Sequence, residues 1–74
     1  MQPLNFAVIG AGNIAKIHVE AIQHIPEARV SVVCARTEAA GRALAERCGA
    51  AWEADYAKAV TRSDVDAVAI CTPN

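Results

Sequence analysis

Gly10-Ala11-Gly12-Asn13-Ile14-Ala15 follows the apolar run Phe6-Ala7-Val8-Ile9 and leads into a helix-patterned segment over residues 17–25. That order reads as a strand, a tight turn and the start of a helix. As a dinucleotide fingerprint, Gly10 permits a turn that needs positive φ, and Gly12 has no side chain to hold a pyrophosphate off the backbone. Ala15 stands where the third, packing glycine would be. The backbone N–H groups at the helix start, around Asn13 and Ile14, then face the phosphates with the positive end of the helix dipole. A match of this kind gains weight from its setting between a strand and a helix, with a second strand ending about twenty residues on.

Working outward, residues 4–9 are apolar on both alternating faces apart from Asn5, which suits a central strand of a parallel sheet. The following helix repeats with a 3.6-residue period. Its spacing predicts Ile14, Ile17, Ala21, Ile22 and Ile25 against the sheet, with Lys16, Glu20, Gln23 and His24 opposite, His18 at the boundary and Pro26 as the stop. Strand two is expected over residues 29–34. Thr37 then caps a second helix that turns Ala40, Ala43, Leu44 and Arg47 or Cys48 inward, carries the charge ladder Glu38, Arg42 and Glu46 outward, and stops at Gly49. A short strand over 50–52, a helix over 56–61 capped by Asp55, a turn at Ser63-Asp64 and a fourth strand over 67–71 complete the chain.

Alternating strands and helices with short connections imply right-handed crossovers, hence an α/β, Rossmann-like parallel sheet, βαβαβαβ in the order 3-2-1-4. Ligands in such sheets bind beyond the carboxyl ends of the strands. Residues 10–13, 35–37 and 72–74 are therefore expected to line one crevice.

Composition narrows the function classes. The 74 residues are 54% hydrophobic with a formal net charge of −1, so neither a nucleic-acid surface nor a disordered tail is indicated. Cys34, Cys48 and Cys71 are odd in number and lack C-x-x-C spacing, which argues for reduced, packing cysteines and against a disulfide framework or a metal site. No signal peptide or run of transmembrane length is apparent, and a cytoplasmic location is expected, with no membrane partner. A doubly wound nucleotide-binding domain normally needs about twice this length. The sequence therefore reads as an incomplete doubly wound domain, expected to be an unstable monomer on its own.

The glycine turn closed by Ala15, the helix entry Ala15-Lys16-Ile17-His18, the segment Cys34-Ala35-Arg36 and above all Asp64-Val65-Asp66-Ala67-Val68-Ala69-Ile70-Cys71-Thr72-Pro73-Asn74 resemble the N-terminal domain of the Gfo/Idh/MocA oxidoreductases. The resemblance covers nearly the whole chain. It implies an NAD or NADP site here and hydride transfer to or from a sugar, polyol or related carbonyl bound on a second domain, in a full-length homo-oligomer. It also implies that Thr72, Pro73 and Asn74 lie near the nicotinamide, and that a catalytic lysine in a Glu-Lys-Pro motif and a downstream histidine follow Asn74. No catalytic residue is expected within the 74 positions. Asp64, Asp66 and Glu53 read as turn and surface carboxylates.

Arg36 and Thr37 bear on the choice of dinucleotide. NAD-selective fingerprints place an acid at the end of strand two, where this chain has Ala35. A guanidinium and a hydroxyl follow, which favours NADP over NAD, although Arg36 could instead stack on adenine or face solvent. The competing function is a non-catalytic dinucleotide-binding or scaffolding module. An S-adenosylmethionine methyltransferase fits less well, since Ile9 rather than an acid precedes Gly10 and Ala15 closes the motif.

Overall fold

The computed structural model describes residues 4–71. Strand β1 (Leu4–Ile9) enters helix α1 (Asn13–Gln23), and β2 (Ala28–Cys34) enters α2 (Glu38–Cys48). Strand β3 (Ala51–Glu53), helix α3 (Tyr56–Val60) and strand β4 (Ala67–Ile70) follow. The four strands are parallel in the order β3-β2-β1-β4, which places β1 and β2 at the centre. This is the Rossmann-like arrangement that the alternation of strands and helices implies.

Two apolar layers hold the sheet. Val8, Val30 and Val33 meet Ala15, Val19 and Ile22 of α1 and Leu44 and Ala45 of α2 on one face, while Ala7, Ile9, Val32 and Cys34 meet Ala59 of α3 on the other. Val8, Val32 and Val33 are fully buried, each contributing about 1.5–3 kcal/mol of transfer free energy. The side chains of β2 change faces at a bulge. Phe6 pairs with Val30 and Ala7 with Val32, so Ser31 is the extra residue, and its hydroxyl donates to the Phe6 carbonyl at 3.4 Å.

Two helices are rotated from the phase expected. In α1 the buried residues are Ala15, Val19 and Ile22, whereas Ile14, Ile17 and Ile25 are 56%, 62% and 48% exposed and Ala21 and His18 also face solvent. The helix carries two apolar stripes, and a period alone cannot choose between them. Ala15 chooses, because the small third residue of the motif must lie flat on the sheet, which brings Val19 and Ile22 inward with it. Only Ile22 of the expected set is buried. The far flank meets α2, where Arg47 approaches Glu20 at 3.5 Å and Gln23 donates to the Arg47 carbonyl.

In α2, Gly41, Leu44 and Ala45 are buried and Cys48 half-buried, while Ala40, Ala43 and Arg47 are exposed. Trp52 of β3 causes this shift, since its indole lies across the helix at Gly41. Of the expected ladder one rung forms, Arg42 Nε on Glu38 Oε2 at 2.6 Å, and Glu46 enters no ion pair among the described residues.

The terminations follow local chemistry. Gly49 ends α2 with φ +70, and the Asp55 carboxylate accepts from the Ala57 amide at 2.9 Å to start α3. Arg62 donates to both carboxylate oxygens of Asp64 at 2.9 and 3.0 Å, and this pairing holds the Asp64 carboxyl below the usual range. Asp66 accepts from the Asn5 amide at 2.9 Å, and Glu53 accepts from the Asp55 amide. All three carboxylates are thus tied to backbone or turn structure. No helix among the described residues is long and apolar enough to cross a membrane.

Candidate functional site

The carboxyl ends of β1, β2 and β3 open on one cleft of about 830 Å³. That volume lies within the roughly 300–1,000 Å³ usual for small-molecule sites. Residues 9–12 form one wall, residues 34–37 with Ala40 a second, and Ala54 and Tyr56 the side beneath β3, with Ile70 at the β4 end.

Each wall is set by backbone geometry. Gly10 has φ +120, a conformation that L side chains rarely adopt, and its amide donates to the Cys34 carbonyl at 2.7 Å. The turn therefore requires glycine there. Gly12 is different, because its φ is −82 and a Cβ built on it would meet nothing within 4 Å. The protein itself gives no reason for glycine at 12.

Helix N-termini supply the positive potential. Gly12 starts α1 and Thr37 starts α2, and neither helix has a side-chain cap, whereas α3 is capped by Asp55. The first-turn amides of the two helices that begin at the cleft are left for another acceptor. The Thr37 hydroxyl makes no cap bond, and Arg36 is exposed and enters none of the ion pairs among the described residues. Cys34 lines the cleft with a buried thiol. Burial raises its pKa first, and the carboxylates of Glu53 and Asp55 raise it further, so it stays protonated. Cys34, Cys48 and Cys71 are all free thiols.

The structure brings Gly10, Gly12, Arg36 and Thr37 to one cleft. Asn13 and Ile14 are the first residues of α1, exposed beside that cleft and outside its lining. Thr72, Pro73 and Asn74 lie outside the described residues. Ile9, Cys34, Ala40, Ala54, Tyr56 and Ile70 join the lining beyond the residues that the sequence singles out. The signal for Tyr56 was its place directly after the Asp55 cap, which puts it beyond the carboxyl end of β3 at the same sheet edge.

The family model for an oxidoreductase family with an NAD-binding Rossmann fold, GFO_IDH_MocA, matches residues 4–74. The chain belongs to the Gfo/Idh/MocA family. Inositol 2-dehydrogenase of Rhizobium meliloti (strain 1021) is 37% identical over 71 residues, covering 95% of this chain and 21% of that protein. Among solved structures, GenD2 from gentamicin A biosynthesis, in complex with NAD, superposes with a TM-score of 0.93 at 30% identity, over 99% of this chain and 21% of that one. A variant of KijD10, a 3-ketoreductase from Actinomadura kijaniata, in complex with TDP-benzene and NADP, gives 0.88 at 30% identity, over 97% and 23%. The chain thus spans about a fifth of the length of these relatives. It is an NAD-binding Rossmann domain of this oxidoreductase family, whose solved members hold either dinucleotide.

Proposed function

We propose that the chain is the cofactor-binding portion of a dehydrogenase that moves hydride between a nicotinamide and a sugar, polyol or related carbonyl. The observation that carries the reading is the contrast between the two glycines. Gly10 is required by its own backbone, whereas Gly12 borders empty space that only an incoming group gives reason to keep clear. A pyrophosphate fits that space chemically, because the uncapped N-terminus of α1 begins there and charge-assisted bonds to such amides are strong.

When bound, the dinucleotide supplies the hydride donor or acceptor. The protein's part is to hold it. Gly10, Gly12 and the amides of Asn13 and Ile14 receive the pyrophosphate, and Arg36 and Thr37 receive the adenosine end. Thr72, Pro73 and Asn74 take the nicotinamide side by family resemblance. The substrate's binding groups lie on a second domain and the proton donor beyond Asn74, with dinucleotide and sugar or polyol as partners in a homo-oligomer. Three cysteines without C-x-x-C spacing suit packing thiols and support a cytoplasmic setting.

Between the dinucleotides, we favour NADP, with NAD the alternative. Arg36 lies in the cleft lining and enters no ion pair among the described residues, and it is followed by a hydroxyl that makes no cap bond. Titration of both cofactors into the intact protein and the Arg36→Ala variant tests this. Loss of charge-assisted bonds weakens NADP by about ten- to a hundredfold and NAD much less. Equal affinity for the two cofactors in the unmodified protein, or equal losses in the variant, refutes the assignment.

A further inference from the structure

We propose that Trp52 is a positioning residue for dinucleotide selectivity, one that fixes the loop presenting Arg36 and Thr37. The inference rests on the reading of Arg36 given above. Trp52 lies in β3 and outside the cleft lining, yet its indole Nε1–H donates to the Ala35 carbonyl at 3.3 Å. The Ala35 amide in turn donates to the Glu53 carbonyl at 3.2 Å. Both backbone polar groups of the residue before Arg36 are thus held by consecutive residues of β3. Peptide planarity then passes the orientation of the Ala35 carbonyl directly to the Arg36 amide.

The indole is itself seated from both sides. Gly41 is buried in the middle of α2, where glycine costs about 1 kcal/mol against alanine in an exposed helix. A Cβ at that position would collide with Nε1 and Cδ1 of Trp52 and approach the Ala35 Cβ to 2.9 Å. The glycine is the slot for the indole. On the outer side, the Arg42 guanidinium lies 4.9 Å from the ring centroid and is held by Glu38 at 2.6 Å. This arrangement occupies Arg42 on the outside of the loop and leaves Arg36 for the cleft. Helix α2, strand β3 and the loop between β2 and α2 therefore form one unit locked by a single side chain.

Trp52→Phe keeps a ring in the slot and removes the donor. The expected result in the intact protein is a fall of about three- to tenfold in the ratio of NADP to NAD affinity, the effect of one misplaced hydrogen-bonding loop. The ratio is read on one sample, so a reduced folded fraction cancels. Gly41→Ala, which displaces the indole from the helix side, is expected to move the ratio in the same direction. Arg36→Ala made in the Trp52→Phe background should cost NADP binding less than it does alone, since the two changes disturb one interaction. If the ratio is unchanged in Trp52→Phe and Gly41→Ala while Arg36→Ala alone weakens NADP, the positioning role is refuted and the reading of Arg36 stands. If Arg36→Ala alone leaves NADP binding intact, the reading of Arg36 fails and the role of Trp52 falls with it.

Discussion

The Gly10 amide and the Cys34 carbonyl, 2.7 Å apart, join the end of β1 to the end of β2 at the mouth of the cleft. Gly10 can make this bond because its φ of +120 turns the chain sharply off the strand toward α1. The same turn brings Gly12 to the N-terminus of the helix.

Gly10→Ala places a Cβ in a backbone region that costs about 1–3 kcal/mol for L residues. We expect a lower urea midpoint with an unchanged slope, together with weaker dinucleotide binding. Equilibrium denaturation followed by circular dichroism measures this. A midpoint equal to that of the unmodified protein would show that the turn relaxes without strain.

Much of this architecture was legible because its signals are local. Gly10, Gly49 and Asp55 each act through their own φ or through a partner two residues away, and the alternation of strands with helices fixed the sheet order. Side-chain phase was harder to read. Helix α1 offers Ile14, Ile17 and Ala21 on one stripe and Ala15, Val19 and Ile22 on another, and the bulkier stripe is the exposed one. The clue was present in Ala15, whose role as the packing residue of the motif already implied the second stripe. The phase of α2 depends on Trp52, which is distant in sequence, and the bulge at Ser31 sits in a run apolar on both faces. Within the cleft, the glycine turn and the loop at Arg36 were readable, while Tyr56 became visible only once β3 placed it at the common edge.

Strand β4 lies at the edge of the sheet, with Val68 and Ile70 on the α3 face exposed by 40% and 66%. An apolar strand at an edge pairs readily with another chain. The 74-residue chain is expected to self-associate in sedimentation experiments, and Val68→Lys to reduce that association. A monomer that unfolds cooperatively at ordinary mesophile temperatures would contradict the expectation.

The thiols of Cys34, Cys48 and Cys71 are all raised in pKa, chiefly by burial. Because the folded-state values lie above the unfolded ones, their contribution to stability is complete below the ordinary thiol pKa. It is lost as pH rises through the folded values. Unfolding free energy should therefore be insensitive to these groups up to about pH 8 and decline above it. Cys34→Ala should remove part of that alkaline decline. A variant whose pH profile parallels that of the unmodified protein would show that Cys34 is not a contributor.

The central claim is that Gly12 is kept bare for a pyrophosphate, and calorimetric titration of NADP and NAD into the intact protein and its Gly12→Val variant tests it most directly. The added side chain meets no protein atom within 4 Å at its Cβ, so the far-UV circular dichroism should be unchanged. Affinity for both dinucleotides should fall by at least about a hundredfold, or roughly 2.7 kcal/mol. A folded variant that binds both cofactors as tightly as the unmodified protein would contradict the account.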